Sequence, residues 1–435
     1  MRSASSRLVV FLFALATLAW AAPPQFSIQK RVGLWTGDQW EPAVAADSSG
    51  RIYVLYPHYG RVRDCKDCRV PTMLLVASND SGKTWLPPHI MLDSGSGQFD
   101  AQIVVDPIDR RTVYAAWLQD RKRAVMLAKS SDFGNTWSFT LAVRSDSGVE
   151  LDKPTLAVRG QNVYVAFNHE DEVWVAASQD AGRSFTPTRV NADSRPGWSL
   201  LGAATVDPAG NAYLAWASYS KVGGARGSVN LDVAKSSDAG KSWSATPLDV
   251  SAAAPDCDNN SKSNNEACGE GFLGAQVALT SDAAGTLYAL WSAGTAAFGP
   301  QRIYFSSSTN GGENWLPKVS VSAARAGAEH AFPTIVAGNS GDVRIAWMDA
   351  RNSSSKSLYW NTYYRSSSNG GATWGEEIRV SNYVPGYRYI AKDGFHFPFG
   401  DYFGMAIDSH GETHMVWGEG LNYQSPGSIW HASGR

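Results

Sequence analysis

The octapeptide SNDSGKTW at Ser78–Trp85 sets a pattern that the chain repeats, with Asp or Asn third, Gly fifth and an aromatic residue eighth. Five further copies follow: SSDFGNTW at Ser130–Trp137, SQDAGRSF at Ser178–Phe185, SSDAGKSW at Ser236–Trp243, STNGGENW at Ser308–Trp315 and SSNGGATW at Ser367–Trp374. The Asp or Asn oxygen can accept bonds from nearby backbone N–H groups, and Gly takes the positive φ that other residues avoid. Each copy therefore predicts a turn that closes a β-hairpin over the aromatic side chain.

A second repeat is an apolar strand that ends in an aromatic residue, and it occurs once more often than the octapeptide. Its seven copies are RIYVLY at Arg51–Tyr56, TVYAAW at Thr112–Trp117, NVYVAF at Asn162–Phe167, NAYLAW at Asn211–Trp216, TLYALW at Thr286–Trp291, DVRIAW at Asp342–Trp347 and THMVW at Thr413–Trp417. Repetition at a regular period indicates a fold built from stacked or radially arranged units. We therefore expect seven units.

Each unit has room for four strands with alternating apolar residues. In the first unit these strands are Pro42–Ala46, Arg51–Tyr56, Met73–Ala77 and His89–Leu92. The seventh unit ends after its third strand, and the segment Phe26–Val32 can supply the fourth. The prediction is an all-β, seven-bladed β-propeller of four-stranded antiparallel blades, with the last blade closed by the N-terminal strand.

The octapeptides resemble the Asp-box, or BNR repeat, of the sialidase-like β-propellers. That resemblance covers nearly the whole chain after its first residues and implies that the third residue of each box is structural: Asp80, Asp132, Asp180, Asp238, Asn310 and Asn369. The catalytic domain of the sialidases proper has six blades, so a seventh blade departs from that pattern.

The composition excludes some partners. The 435 residues carry 18% charged side chains and a net charge of −2, which offers no broad basic surface for nucleic acid. Residues 1–21 have the arginines, short apolar run and small-residue end of a secretory signal, and residues 22–435 should form one propeller domain. We expect a secreted or periplasmic monomer without a membrane span.

Export favours pairing of the four cysteines. Of the three possible connectivities, we expect the two local bridges, Cys65 with Cys68 and Cys257 with Cys268. Arg69 follows Cys68 where haem attachment would need histidine. No metal-ligand set stands out, so we expect no cofactor, with calcium bound by the acidic loops as the alternative.

The face opposite the boxes should carry any ligand. Long polar loops are predicted there at Tyr56–Thr72, Ser218–Asn230, Asp256–Phe272 and Ser381–Tyr402. Long connections on a rigid scaffold are common binding sites, although they could also be decoration held by disulfides.

Arginines recur just past the second strands. Arg121 and Arg351 each follow a strand-ending Trp by four residues, and Arg388 lies in the loop before the seventh unit. The resemblance to sialidases implies that they could converge on a carboxylate ligand. The alternative is local pairing, for example of Arg351 with Asp349.

Acids and aromatics also mark this rim: Asp38, Glu41, Asp100, Glu150, Asp152, Glu329, Asp401, Glu419, Trp40, Trp198, Tyr387, Tyr389 and Tyr402. From these we select Asp100, Glu329 and Tyr387 as catalytic candidates, since a glycosidase needs a proton donor and a nucleophile. Trp198, Asp401 and Tyr402 are candidates for ligand contact. The family's Arg-Ile-Pro element has no match at the entrance to the first blade.

Two functions fit this sequence. The first is a secreted propeller that binds a glycan or an extracellular protein on the face opposite the boxes. The second is an exo-acting, sialidase-like glycoside hydrolase that uses an arginine clamp with Tyr and carboxylate catalysis. They differ in whether paired ionisable groups meet in one pocket.

Overall fold

Seven four-stranded antiparallel blades follow one another along the chain and close into a ring. The computed structural model describes residues 25–63, 65–191, 197–222, 226–252, 275–297, 299–352, 360–381, 390–391, 394–395, 400–419 and 427–435. The first strand of every blade contacts the first strands of both neighbouring blades, including blade 7 with blade 1. This arrangement confirms the predicted fold class.

In blades 1 to 6 the strands follow sequence order from the axis outward. Their bounds in blades 1 to 4 are Ala43–Ala46, Ile52–Tyr59, Thr72–Ser78 and His89–Ile90; Phe99–Val105, Val113–Gln119, Ala124–Ser130 and Ser138–Arg144; Leu151–Arg159, Asn162–His169, Glu172–Ser178 and Thr186–Arg189; Trp198–Val206, Ala212–Tyr219, Val229–Ser236 and Ser244–Ser251. In blades 5 and 6 they are Val277–Ser281, Leu287–Ala293, Arg302–Ser308 and Val319–Ser320; His330–Ala337, Val343–Asp349, Asn361–Ser367 and Ile378–Arg379.

Blade 7 combines both ends of the described chain. Its first three strands are Gly404–Ile407, Thr413–Glu419 and Ser428–Gly434, and Lys30–Arg31 pairs beside the third. A further bridge joins Phe26 to Gly434. Two short additions lie outside the four-stranded blades: Asp38–Gln39 beside the second strand of blade 1, and the pair Ile390–Ala391 with Gly394–Phe395.

The core lies between adjacent blades. The aromatic residue near the end of each second strand is almost fully buried, and the set comprises Tyr56, Trp117, Phe167, Trp216, Trp291, Trp347 and Trp417. Trp117, for example, packs with residues of blades 1 and 2 such as Leu55 and Ile103. Burial of one such side chain stabilises the fold by about 1.5–3 kcal/mol, so the period-two apolar pattern holds neighbouring blades together.

The carboxylates of the Asp-box turns accept hydrogen bonds from backbone N–H and hydroxyl groups of the same turn. In the first box, Asp80 Oδ1 accepts bonds from the Thr84 N–H at 2.8 Å and the Ser78 hydroxyl at 2.8 Å, and Oδ2 accepts the Thr84 hydroxyl at 2.6 Å. The Thr84 and Ser78 bonds lower the pKa of Asp80 to about 2. Gly82 has φ of +77° in this turn, a backbone conformation that favours glycine.

The same bonds recur at Asp132, Asp180 and Asp238, and the Oδ1 atoms of Asn310 and Asn369 take over the acceptor role.

The predicted Cys65–Cys68 bridge is confirmed, with 5.5 Å between the Cα atoms. Cys257 and Cys268 lie outside the described residues. Within the part of the chain that the structure describes, no helix is long and apolar enough to cross a membrane.

Candidate functional site

The two faces of the propeller follow from strand order. The turns between first and second strands and the Asp-box turns lie on one face. The entrances to the first strands and the turns between second and third strands lie on the other. The side chains described below come from these entrances, so they lie on the face opposite the boxes.

One residue from each blade occupies the same position at the entrance to the axial channel. In every blade, one first-strand residue pairs opposite the residue that precedes the buried aromatic of the second strand. In each blade we take the residue two positions before that first-strand residue. We call these seven residues the axial ring: Glu41, Asp100, Lys153, Leu201, Gln276, Phe332 and Tyr402. The ring has Glu, Asp or Lys on blades 1 to 3 and none of these residue types on blades 4 to 7.

The backbone bends at this position. The pairing of first and second strands shifts by one residue around Asp100, Lys153 and Phe332, as expected for β-bulges. These three residues have φ of 55°, 46° and 56°, and Glu41 has 51°. Positive φ is uncommon for residues other than glycine and is concentrated at functional positions.

A cavity of about 240 Å³ lies on the axis inside this ring, and all seven blades line it. Its wall includes Asp100, Lys153, Gln276, Phe332 and Asp401. This position on the axis of a propeller is a common place for a ligand.

Lys153 links two carboxyl groups that meet between blades 7 and 1. Its Nζ forms an ion pair with Asp401 Oδ2, and the Asp401 side chain is only 2% exposed. The Glu41 carboxyl approaches that of Asp401 closely enough to share a proton. Burial, together with the charges of Asp401 and Asp100, raises the pKa of Glu41 well above its ordinary value. Glu41 therefore keeps its proton to a higher pH than an ordinary glutamate.

A second acid pair lies beside the first. Lys122 Nζ lies 3.2 Å from Asp152 Oδ1, and the Asp152 carboxyl is in hydrogen-bonding contact with Asp100. Burial is the largest effect on the pKa of Asp100, which is raised to about 6. For Asp152, burial is outweighed by the charges of Lys153 and Lys122, so its pKa falls below the ordinary value. Below about pH 6 the site thus holds two proton donors, Glu41 and Asp100, beside the ionised Asp152.

Two carboxylate oxygens at the cavity have unused acceptor capacity. Asp100 Oδ2 and Asp401 Oδ1 are buried and make no well-aligned hydrogen bond among the described residues. A buried polar atom without a partner costs about 1–3 kcal/mol, so a ligand that donates hydroxyl groups here would recover that energy.

The remaining walls are aromatic or amide. Tyr402 donates from its hydroxyl to the Ala101 carbonyl at 3.4 Å. Gln276 donates to the Asp401 carbonyl at 3.3 Å and accepts from the Phe332 N–H at 3.1 Å, which connects blades 5, 6 and 7. The structure therefore pairs a flat apolar wall with a hydrogen-bonding wall.

Three of the predicted site residues meet in this cavity: Asp100, Asp401 and Tyr402. Trp198 begins the first strand of blade 4 and lies near Tyr219, with 5.5 Å between ring centroids. Glu329 Oε1 accepts the Gln301 N–H at 2.8 Å, a contact between blades 5 and 6. Tyr387 and Arg388 lie outside the described residues.

The predicted arginines come from blades that are not neighbours. Arg121 is an exposed residue in the turn after the second strand of blade 2. Arg351, in blade 6, forms ion pairs with Asp349 and Glu377, and its guanidinium lies 3.7 Å from the centre of the Tyr363 ring. These bonds match the local pairing considered above.

Lys122, Lys153 and Gln276 were not among the site residues predicted from the sequence. A signal for the axial ring does exist in the sequence. In blades 1, 4, 5, 6 and 7 the ring residue stands fifteen positions before the buried aromatic of the second strand. In blade 3 the interval is fourteen residues, which places Lys153 in the ring.

A family model for BNR repeat-like domains matches residues 10–256, which is more than half of the chain. The chain belongs to this BNR repeat-like family. No curated protein sequence matches the chain significantly.

Solved structures resemble this BNR repeat-like protein over nearly its whole length. A protein of unknown function from Dyadobacter fermentans is 13% identical, with a TM-score of 0.50, over 94% of this chain and 99% of that chain. A polysaccharide lyase, an ulvan lyase bound to a GlcA(1-4)Rha3S saccharide, is 11% identical, with a TM-score of 0.53, over 92% and 95%. A Hadza microbial sialidase is 15% identical, with a TM-score of 0.45, over 91% of this chain and 65% of that chain. At these identities the likeness concerns the fold alone.

Proposed function

We propose that this protein binds a glycan in the axial cavity, on the face opposite the Asp-boxes. The observation that carries the proposal is the two-sided wall of the axial ring. Asp100 and Asp401 offer buried carboxylate oxygens with remaining acceptor capacity for sugar hydroxyls, while Phe332 and Tyr402 offer flat surfaces for the C–H face of a sugar ring. The kinship with BNR repeat-like proteins, and a structural neighbour determined with a saccharide, support a carbohydrate ligand.

The charge of the cavity favours an uncharged or amino sugar over sialic acid. The cluster contains four carboxyl groups, Glu41, Asp100, Asp152 and Asp401, against the two lysines Lys122 and Lys153. An added ligand carboxylate would meet like charge at low dielectric. Arginine occupies none of the seven positions of the axial ring. We therefore prefer a pocket that recognises sugar hydroxyls, and we rank a sialidase-like arginine clamp below it.

Export fits this proposal. The N-terminal segment has the features of a secretory signal, and the Cys65–Cys68 bridge suits an oxidising compartment. A glycan-binding propeller outside the cytoplasm would meet extracellular or periplasmic polysaccharides.

The test is a binding screen of the mature protein against immobilised neutral, amino and acidic glycans, followed by titration calorimetry with each positive ligand. We expect Asp401→Asn and Phe332→Ala to weaken binding about 10-fold or more, since each removes one wall of the pocket. The matched control is Asp146→Asn, an exposed acid outside the cavity. Equal affinity in all three variants, or a requirement for a ligand carboxylate, would refute the proposed site.

Glycosidic bond cleavage is the second candidate function, and a specific observation favours it. Asp100 has a pKa of about 6 and contacts Asp152, whose pKa is lowered, so a proton donor that lines the cavity lies beside an ionised carboxylate. Hydrolysis that uses Asp100 as general acid would decline as pH rises above about 6.

A panel of fluorogenic glycosides tests this second candidate. The expected result is turnover by the wild type, loss of turnover in Asp100→Asn with ligand binding retained, and no change in Arg351→Ala. Turnover that survives Asp100→Asn would assign the chemistry elsewhere. Turnover of sialosides that disappears in Arg351→Ala would restore the arginine clamp.

A further inference from the structure

A cluster of histidine and carboxylate side chains lies at the turn between the first two strands of blade 7. The sequence Asp408-Ser409-His410-Gly411-Glu412-Thr413-His414 alternates one such residue with one spacer. Oxygen and nitrogen atoms of Asp408, Glu412 and His414 all lie within 4.8 Å of one another. This turn is on the same face as the Asp-boxes and is thus separate from the axial cavity.

Equivalent turns in other blades show what this cluster replaces. There, an aspartate accepts a hydrogen bond from a buried tyrosine hydroxyl six residues later. The Oδ2 to hydroxyl distances are 2.5 Å for Asp47 with Tyr53, 2.9 Å for Asp207 with Tyr213 and 2.8 Å for Asp282 with Tyr288.

In blade 7 that tyrosine is replaced by His414. Its Nε2 lies 3.4 Å from Asp408 Oδ2, within ion-pair range, but this nitrogen makes no hydrogen bond of standard geometry among the described residues. His414 is fully buried, so its Nε2 is a buried donor or acceptor that faces the carboxylate at a longer distance than the tyrosine hydroxyls do.

We propose that Asp408, His410, Glu412 and His414 form a binding site for a divalent transition metal ion such as Zn²⁺. The spacing of the donor atoms carries the proposal. Asp408 Oδ2 lies 3.4 Å from His414 Nε2 and also 3.4 Å from His410 Nδ1. Two donors that are each about 2.0–2.1 Å from a tetrahedral zinc ion lie about 3.3–3.4 Å from each other, which matches both separations.

A neighbouring histidine holds the buried ligand in place. His414 Nδ1 is 3.0 Å from His431 Nε2, and His431 is buried against Trp85 with 4.9 Å between the ring centroids. A hydrogen bond from the second ring nitrogen to a fixed partner is the usual support of a metal-binding histidine. It leaves Nε2 of His414 directed at Asp408.

The site also has an entrance. The His410 side chain is 69% exposed and Glu412 is half-buried, whereas Asp408 and His414 are fully buried. An ion can therefore reach the two buried donors from solvent and be covered by the two outer ones. Imidazole donors favour zinc and similar transition metals over calcium and magnesium, which prefer all-oxygen ligands.

The experiment uses the mature chain without a polyhistidine tag, freed of metal by a chelator. Zn²⁺ binding is measured by titration calorimetry, and Co²⁺ binding by its visible absorption. We expect one ion per chain, a thermal midpoint that rises on addition of Zn²⁺, and a Co²⁺ spectrum typical of low coordination number with nitrogen and oxygen donors.

Three variants decide the outcome. His414→Tyr restores the pairing that other blades use, so it should fold and lose the ion. His410→Ala removes an exposed ligand and should weaken binding about 10-fold or more, in the range of losses seen at metal sites. His89→Ala, an exposed histidine of blade 1, should change nothing.

Failure of the wild type to bind either ion, or equal binding by the folded His414→Tyr variant, would overturn the proposal. A loss of affinity in His89→Ala as large as that in His410→Ala would do the same, because the ion would then be held elsewhere.

Discussion

Replacement of Asp100 by asparagine should remove a pH-dependent cost of folding. Asp100 is 4% exposed, and burial raises its pKa from about 3.9 in an unfolded chain to about 6. Between these two values the folded protein binds more protons than the unfolded one, so its stability falls as pH rises. The difference of about two pH units corresponds to ~3 kcal/mol, which is fully lost above about pH 7.

Asparagine has nearly the same shape and cannot ionise. We therefore expect Asp100→Asn to lack this loss and to gain up to ~3 kcal/mol relative to the wild type between pH 4 and pH 7.5. With an unfolding entropy of about 2.1 cal/mol/K per residue, this corresponds to a relative rise of roughly 3–4 °C in the thermal midpoint of a chain of this size.

The assay is a series of thermal melts from pH 4 to pH 8, followed by circular dichroism and by tryptophan fluorescence. Asp146→Asn, which alters an exposed acid, is the control and should follow the wild-type curve. The reasoning is wrong if Asp100→Asn shows the same pH dependence as the wild type, or if its midpoint rises with pH less than that of the control.

Two further perturbations address the packing of the same cluster. A Cβ at Gly400 would lie 2.2 Å from Glu41 Cγ, so Gly400→Ala should lower the thermal midpoint and weaken glycan binding. Gly148 has a similarly positive φ, but no atom lies within 4 Å of the Cβ that alanine would add there. Gly148→Ala therefore separates the effect of backbone strain from the effect of the clash. Lys153→Met should destabilise the fold by about 3–5 kcal/mol because it leaves Asp401 buried without its cation. Addition of Asp401→Asn should recover most of that loss in chemical denaturation, and no recovery would show that the ion pair is not the cause.

The fold could be predicted because its information is local and repeated. Each octapeptide such as Ser78–Trp85 specifies its own turn through bonds that span only a few residues. The strand-ending aromatics, Trp117 among them, set the buried face of each blade. Counting these two signals gave seven blades, and the antiparallel sheets agree. The limits of single strands were less exact: the second strand of blade 1 runs to Tyr59, beyond the predicted Tyr56.

The site could be predicted only in part, because its contacts join distant segments. Asp100, Asp401 and Tyr402 were selected as acids and aromatics near blade entrances, and the structure brings them together. Lysines that neutralise such acids, Lys122 and Lys153, have no distinguishing local pattern. Their role depends on strand register and on which blades are adjacent, and neither is visible in a single segment.

The junction of blades 7 and 1 gives the axial cluster an unusual dependence on the whole chain. Glu41 and Asp401 are 360 residues apart and meet only when the first blade stands beside the last. Lys30–Arg31 ties the same junction from the rim by pairing with the final strand. Any molecule bound between these carboxyl groups would hold blades 7 and 1 together, because separating the two blades would release it. Occupancy of the cavity and mechanical integrity of the ring are therefore thermodynamically linked, and each should be measurable through the other.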